Sequence, residues 1–138
     1  MTSPLLLDTS VASLLHPRKA EQSLRAVYAP DIAAQPLALS FQTVAELYLW
    51  ADRNQWGARL RGQLESMIAR CTVIPPDAEL TRLWARVSDL SARRGRRLEP
   101  DDASVVATAV RHALTLVTHD RDMVGLPIPG LSVITHLR

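Results

Sequence analysis

Short apolar segments alternate with longer helical patterns along the chain, and this alternation is the feature that most limits its possible folds. The apolar segments are predicted strands at residues 4–8, 36–40, 71–76, 114–120 and 131–137. Between them, leucine, valine and alanine recur at the spacing of amphipathic helices. Strands that alternate with helices favour a parallel sheet with helices on both faces. The sequence therefore predicts a three-layer α/β sandwich around about five parallel strands.

Proline and glycine mark the predicted ends of the helices. A brief helix ends at Pro17, and a second helix over residues 18–28 stops before Pro30. A long helical pattern after the second strand breaks near residues 54–57. The next helix closes at Gly95, where a glycine suits a C-cap. The last predicted helix begins at Pro100 and Asp101.

Length and composition exclude several classes of protein. At 138 residues the chain has the size of one domain, so a single domain over residues 1–138 is expected. Cys71 is the only cysteine, which excludes an internal disulfide and a cysteine zinc cluster. No apolar run reaches the roughly 20 residues of a membrane-spanning helix, and no basic segment precedes the first apolar stretch. A cytoplasmic protein without membrane contact is expected.

Acidic side chains recur where predicted strands end and where predicted helices begin. The six positions are Asp8, Glu46, Asp101, Asp102, Asp120 and Asp122. Ligand sites of parallel sheets lie beyond the carboxyl ends of the strands, so Asp8 and Asp120 are expected to meet. Each acid also has a structural explanation, because acids cap turns and helix starts. Glu46, for example, completes a capping-box pattern with Thr43.

Taken together, the acids indicate a metal site. Glu46 lies in an apolar stretch of helix, where an unpaired carboxylate is costly. Converging carboxylates repel one another unless a cation lies between them, and Mg²⁺ prefers oxygen ligands. Scattered histidines and one cysteine disfavour softer metals. The phosphate-cradling motifs GxxxxGK[ST] and GxGxxG are absent, so the acids favour phosphodiester hydrolysis on an RNA or DNA backbone.

The sequence RRGRR at residues 93–97 is the densest basic cluster of a chain whose formal net charge is only +2. Such a cluster can meet phosphate oxygens, which makes its arginines candidate RNA contacts. A solvated helix end is the preferred explanation, because arginine complements the dipole at a helix C-terminus. The candidate RNA contacts are Arg93, Arg94, Arg96 and Arg97.

Two further groups of side chains have structural explanations. Three tryptophans recur with leucines at helical spacing, so they are expected in the core or in a dimer interface rather than stacked on bases. They are Trp50, Trp56 and Trp84. His119 lies beside Asp120 and is expected in an exposed loop.

Four ordered segments resemble the PIN-domain ribonucleases, specifically the VapC-type toxins of bacterial toxin–antitoxin pairs. The segments are LLLDTS, SFQTVAELYLW, DDASVVATAV and LTLVTHDRDM, and the likeness covers essentially the whole chain. It implies one PIN domain with the α/β sandwich predicted above. The acids that it implies as catalytic and metal-binding are Asp8, Glu46, Asp102 and Asp120. The hydroxyls in supporting positions are Thr9 and Thr118.

Two of these assignments stay open. Asp101 competes with Asp102, and only the spacing to the following VVATA segment favours the latter. Asp122 competes with Asp120, because the family often has a second acid before a phenylalanine, and Met123 takes that place here.

The resemblance implies an endoribonuclease that uses Mg²⁺ or Mn²⁺ and cleaves RNA, often a tRNA or rRNA. It also implies a cognate VapB-type antitoxin, whose C-terminal segment blocks the acidic pocket, and toxin homodimers within a larger complex. The alternatives are a PIN-fold module that only binds RNA or a partner, and a housekeeping PIN nuclease. Phosphoaspartate chemistry is disfavoured because Ser10 stands where a second aspartate is expected. Serine nucleophile chemistry is disfavoured because GxSxG is absent.

Overall fold

A computed structural model describes residues 3–19 and 21–138 of the chain. Within these residues the strands are β1 Leu5–Leu7, β2 Leu37–Ser40, β3 Thr72–Ile74, β4 Leu116–Val117 and β5 Val133–Ile134. The helices are α1 Thr9–Ala12, α2 Gln22–Ala34, α3 Phe41–Arg53, α4 Ala58–Ala69, α5 Ala78–Arg93 and α6 Pro100–His112. Two short 3₁₀ turns cover Ser13–Leu15 and Arg121–Met123. None of the described helices is long and apolar enough to cross a membrane.

The strands form one sheet in the order β3-β2-β1-β4-β5, and every pairing between neighbours is parallel. In the middle of the sheet, Leu6 pairs with Ala38 on one side and with Leu116 on the other. The chain builds outward from β1 in one direction through β2 and β3, and then returns to the other side of β1 with β4. The strand order therefore reverses between β1 and β4, where open parallel sheets bind their ligands.

Alternate residues of the central strands face opposite sides of the sheet, as the pleat requires. Leu5, Leu7 and Val117 are buried against helices α1 to α4. Leu6 and Leu116 are buried against α5 and α6 on the opposite face. Helices thus cover both faces, which confirms the predicted three-layer sandwich with a parallel sheet.

Helix α2 differs from its predicted bounds, because it continues through Pro30 to Ala34. A proline inside a helix removes one backbone hydrogen bond, and here the carbonyl that loses its donor belongs to Ala26. Ala26 is exposed, so water can replace the missing donor. Tyr28 on the same helix is fully buried and holds α2 in place. Tertiary packing therefore overrides the local stop signal that proline provides.

The end of α5 is closed as the sequence predicts. Gly95 has φ +73°, a left-handed conformation that favours glycine. Its N–H donates to the carbonyl of Ala92, and the N–H of Arg96 donates to the carbonyl of Ser91. This pair of bonds is the Schellman arrangement of a helix C-terminus. It turns the chain so that the Arg96 side chain contacts residues 121–125.

Candidate active site

Asp8 lies immediately after β1 and is almost completely buried, with 1% of its surface exposed. One carboxylate oxygen, Oδ1, accepts hydrogen bonds from the Ser10 hydroxyl at 2.6 Å and from the Val11 N–H at 3.1 Å. The other, Oδ2, accepts from the Thr118 hydroxyl at 2.5 Å. Burial raises the pKa of Asp8 above its usual range, although these bonds oppose the rise. Asp8 thus caps α1 and also ties β1 to the segment after β4.

Thr118 links two of the predicted acids. Its hydroxyl oxygen, which donates to Asp8, also accepts from the backbone N–H of Asp120 at 2.9 Å. The predicted meeting of Asp8 and Asp120 therefore exists in the structure, and a threonine holds it. Ser10 adds a second link, because its hydroxyl accepts from the N–H of His119 at 3.0 Å. The bond from Ser10 to Asp8 is local to LLLDTS, whereas the contact with His119 spans 109 residues and has no signal in the sequence.

Glu46 projects into the same region from the middle of α3, and the capping-box explanation for it is wrong. The capping box takes Thr43 as the N-cap, but helix α3 begins at Phe41 with Ser40 as its N-cap, and the Ser40 hydroxyl accepts from the Thr43 N–H at 3.1 Å. Thr43 is therefore inside the helix and leaves Glu46 free. The Oε1 of Glu46 accepts from the Thr9 hydroxyl at 2.8 Å. Burial and the neighbouring Asp101 raise the pKa of Glu46.

The third acidic element is the first turn of α6, which follows Pro100 and carries Asp101 and Asp102. Asp102 lies beside the segment after β4. Carboxylate oxygens of Asp102, Asp120 and Asp122 all lie within 4.8 Å of one another. Burial, followed by repulsion from the surrounding acids, raises the pKa of Asp102 to about 7. The sequence does not decide between Asp120 and Asp122, and in the structure both lie close to Asp102.

A cleft of about 230 Å³ lies at the carboxyl edge of the sheet. It is called the acidic cleft. Its lining residues are Asp8, Thr9, Ser10, Glu46, Glu99, Asp101, Asp102, Val105, Asp120 and Met123. Glu99 was not expected there from the sequence, because it precedes α6 and matches no pattern. In the part of the chain that the structure describes, no arginine or lysine forms an ion pair with any of these acids.

The donor set of the acidic cleft fits a divalent cation. Carboxylate and hydroxyl oxygens are the ligands that Mg²⁺ and Mn²⁺ prefer. Burial and the negative charge of the neighbouring acids together raise the pKa of Asp102, and carboxylates this close repel one another unless a cation lies between them. A cation between Asp102, Asp120 and Asp122 would remove that repulsion.

A buried tyrosine supports the cleft from behind. Tyr28 is fully buried, and its hydroxyl lies 2.7 Å from Nδ1 of His119 and 3.2 Å from the carbonyl oxygen of Thr118. The same hydroxyl accepts from the backbone N–H of His136 at 3.1 Å. The expectation of an exposed loop for His119 is wrong, because the residue is half-buried against Tyr28. Helix α2 and the C-terminal segment thus meet behind the acids.

The four candidate RNA-binding arginines are not brought together. Arg93 pairs with Asp89 at 2.9 Å, and Arg94 is exposed at the end of α5. Arg97 lies in a separate depression beside Trp84. Among the described residues that line the acidic cleft, none is an arginine. Arg96 alone reaches residues 121–125 around Asp122, where it donates to the backbone carbonyls of Arg121, Val124 and Gly125.

The tryptophans are divided between two environments. Trp56 is buried and stacks on the ring of His16, with 4.5 Å between ring centroids. Trp50 meets the same histidine edge-on at 5.6 Å. Trp84 is 38% exposed, and its Nε1 donates to the carbonyl of Pro100 at 3.1 Å. The core expectation is therefore confirmed for Trp56, whereas Trp84 lies at the surface.

Comparison with known families and proteins identifies the fold. The model of the PIN domain family matches residues 5–127, which is most of the chain. The chain belongs to the PIN domain family. The resemblance to VapC-type members is likewise confirmed by its curated relatives.

This PIN domain is similar to ribonuclease VapC5 of Mycobacterium tuberculosis, with 33% identity over 93 residues that cover 65% of this chain and 68% of that protein. It is also similar to toxin FitB of Neisseria gonorrhoeae, with 27% identity over 124 residues that cover 84% and 87% of the two chains. Its fold matches the structure of VapBC2 from Rickettsia felis bound to a promoter DNA fragment, with a TM-score of 0.80. That match covers 96% of this PIN domain and 98% of the other chain at 17% identity.

Proposed function

We propose that this PIN domain is a metal-dependent endoribonuclease and the toxin of a type II toxin–antitoxin pair. The observation that carries the proposal is the convergence of Asp102, Asp120 and Asp122 at the switch point of the sheet, with oxygens within 4.8 Å and no ion-pair partner among the described residues. Repelling carboxylates in a cleft weaken the fold unless a cation binds them, so the arrangement is explained by a ligand.

In this proposal the catalytic and metal-binding acids are Asp8, Glu46, Asp102 and Asp120, and Asp122 joins them through its position in the cluster. A divalent cation bound there supplies charge that polarises the scissile phosphate and lowers the pKa of an attacking water molecule. Thr118 and Ser10 orient Asp8 through hydrogen bonds, and Thr9 orients Glu46. Asp101 supports the cleft from the first turn of α6.

Glu46 is suited to accept the proton of the attacking water. Its carboxylate is oriented by Thr9, and burial raises its pKa, which makes the carboxylate a stronger base. Asp8 has a different task, since each of its oxygens accepts a hydrogen bond from a hydroxyl group. We propose that Asp8 keeps the cleft rigid where the cation binds and does not exchange protons.

The toxin role and the partners rest on the relatives. One relative is named a ribonuclease of VapC type, one is named a toxin, and the matched Rickettsia felis structure is a VapBC complex. By analogy, we propose a cognate VapB-type antitoxin, a homodimer within a larger complex, a tRNA or rRNA substrate, and a cytoplasmic location. The cation is proposed to be Mg²⁺, with Mn²⁺ as a substitute, because both take carboxylate oxygens.

The proposal is tested by incubating the purified protein with total bacterial RNA in Mg²⁺, in Mn²⁺ and in EDTA, and by mapping new 5′ ends. We expect discrete ends that require the cation and disappear in Asp8→Asn and Asp102→Asn, with losses of at least about 100-fold in rate. Asp89→Asn is the matched control, since Asp89 is exposed on α5 and pairs only with Arg93 among the described residues. It should cleave like the wild type.

Two results would contradict the proposed activity. One is a folded wild-type protein that binds the cation and yields no new ends. The other is cleavage by Asp102→Asn at the wild-type rate, which would place the chemistry elsewhere. The first result would favour a PIN-fold module that binds RNA or a partner without cleaving it.

A further inference from the structure

A second pocket, of about 530 Å³, adjoins the acidic cleft and has the opposite charge. We call it the basic pocket. Its lining residues are Arg96, Arg121, Asp122, Val124, Thr135, Leu137 and Arg138. Asp122 is shared, because it lines the basic pocket and belongs to the acid cluster with Asp102 and Asp120. A strand of nucleic acid that reached the acids on this side would therefore pass three arginines.

Arg96 is held rigidly at the edge of the basic pocket. Its Nη2 donates to the carbonyl of Val124 at 2.8 Å and to that of Arg121 at 3.4 Å, and its Nη1 donates to that of Gly125 at 3.4 Å. These partners are neutral peptide groups, so they orient the guanidinium without cancelling its charge. A fixed, uncompensated cation is the arrangement that binds an anion with little loss of side-chain entropy.

The other donors of the basic pocket also keep their charge or their hydrogen. The Nη2 of Arg121 donates to the main-chain oxygen of Arg138 at 3.3 Å. Across residues 3–19 and 21–138, neither of these arginines pairs with a carboxylate side chain. The Thr135 hydroxyl oxygen accepts from the Leu137 N–H at 3.2 Å, which leaves the hydroxyl hydrogen to donate. Guanidinium groups and a hydroxyl are donors that match phosphate oxygens.

We propose that the basic pocket binds the RNA phosphate next to the one that is cleaved. This inference rests on the proposed ribonuclease function, and it names the path of the substrate strand. Each phosphate of a strand carries one negative charge, and the acids of the cleft would repel the neighbour of the scissile phosphate. Three arginines beside Asp122 place positive charge where that neighbour must lie. An acidic segment of a protein partner would meet the same arginines, and the tests below distinguish it from a nucleic acid.

Binding without cleavage provides the first test. The affinity for a short single-stranded oligoribonucleotide is measured by fluorescence anisotropy in EDTA, over a series of salt concentrations. Arg121→Gln should weaken binding roughly tenfold and reduce the dependence of log K on log salt by about 0.7. Arg59→Gln is the matched control, because it removes the same charge from an exposed position on α4. It should leave the affinity and the salt dependence nearly unchanged.

Cleavage of a modified strand provides the second test. One phosphate beside the cleaved bond, first on the 5′ side and then on the 3′ side, is replaced by an uncharged methylphosphonate. The replacement should slow cleavage by the wild type on one side of the cleaved bond only. The factor should be roughly that by which Arg121→Gln slows cleavage of the unmodified strand. The two changes should not add when combined, because they remove the two halves of one contact.

Control variants keep the tests decisive if the loop of Arg121 is disturbed. Thermal unfolding checks each fold, and Arg138→Gln removes a second donor of the same pocket without altering the turn that follows Asp120. Loss of RNA affinity in both variants, with wild-type melting, supports the inference.

Three outcomes would overturn the inference. If the wild type cleaves RNA and both pocket variants behave like Arg59→Gln, the phosphate path is wrong while the nuclease stands. If the pocket variants lose affinity for an acidic peptide and keep their RNA affinity, the basic pocket serves a protein partner. If the wild type neither binds nor cleaves RNA, the proposed function fails and the inference fails with it.

Discussion

Two polar clusters of this protein differ in whether their polar groups have partners within the chain. At the edge of the acidic cleft, Asp122 lies close to Asp102 and Asp120, and none of the three has an ion-pair partner among the described residues. At the other cluster, the fully buried His16 packs against both Trp50 and Trp56, whose rings also contact each other. Both of its ring nitrogens have partners.

The His16 cluster is complete within the chain. The Nε2 of His16 lies 3.0 Å from the carbonyl oxygen of Leu60, and Nδ1 accepts from the Arg18 N–H at 3.0 Å. A neutral imidazole with one donor and one acceptor satisfies both contacts. The cluster therefore stabilises the fold and needs no ligand. The acidic cleft lowers stability instead, because like charges stay together without compensation. The difference separates a structural polar cluster from one that awaits a cation.

The largest effect on stability is expected from His16→Ala. The change leaves a cavity beside the two tryptophans and removes the buried partner of the Leu60 carbonyl and of the Arg18 N–H. The free energy of unfolding should fall by about 3 to 4 kcal/mol in urea denaturation. His112→Ala is the control, since His112 is exposed in the last turn of α6, and it should cost under about 1 kcal/mol. A loss below about 1 kcal/mol for His16→Ala would show that the cluster is not a structural centre.

Asp102→Asn is expected to raise the free energy of unfolding when no cation is present. The folded pKa of Asp102 is raised to about 7 from the ordinary 3.8, so the folded state holds the proton more tightly than the unfolded state does. By linkage, wild-type stability falls as pH rises from about 4 to about 7, and the loss is complete above that range. Asp102→Asn should therefore be more stable at pH 8, by on the order of 2 kcal/mol after solvent screening, and the gap should close toward pH 4.

Urea denaturation without divalent ions, repeated across pH, measures this gap. Asp89→Asn, on the exposed face of α5, should show no such pH-dependent gain. If Asp102→Asn is less stable than the wild type at pH 8, the carboxylate is a structural group and the contrast with His16 disappears.

A smaller effect is expected from Tyr28→Phe, which sharpens the comparison because Tyr28 lies between the cleft and the scaffold. The change removes the hydroxyl that contacts His119 and the Thr118 carbonyl and accepts from His136. Unfolding free energy should fall by about 1 to 2 kcal/mol. Since Thr118 and His119 adjoin Asp120, affinity for Mn²⁺ should also fall several-fold, about 3- to 10-fold. Unchanged Mn²⁺ affinity in a destabilised variant would limit Tyr28 to a structural role.

Much of the fold follows from the sequence because its signals are local. Periodicity and the alternation of apolar segments predicted the order of strands and helices, and Gly95 marked the end of α5 as the structure shows. Local signals fail where packing overrides them. Helix α2 passes through Pro30 because Tyr28 anchors it, and β4 and β5 are only two residues long each.

The acids of the site could be predicted from the sequence, whereas most of the contacts around them could not. Asp8 and Asp120 follow neighbouring parallel strands, so their meeting follows from topology. Their connection through Thr118 depends on the register of β1 with β4, across 110 residues of sequence between Asp8 and Thr118. No local pattern contains that information. The basic pocket shows the same limit, because Arg96 and Arg121 lie 25 residues apart and only one of them belongs to RRGRR.

We propose that the carboxylates of the acidic cleft lie close together, despite their repulsion, because a divalent cation binds between them. Calorimetric titration of Mn²⁺ at pH 7, in two buffers of different ionisation enthalpy, tests it most directly. We expect saturable binding with proton release, because a cation displaces the proton that Asp102 partly retains at this pH. In Asp102→Asn, both the binding and the proton release should be lost or greatly reduced. A folded wild type that binds no Mn²⁺ at millimolar concentration, at pH 7 or at pH 8, would contradict the claim.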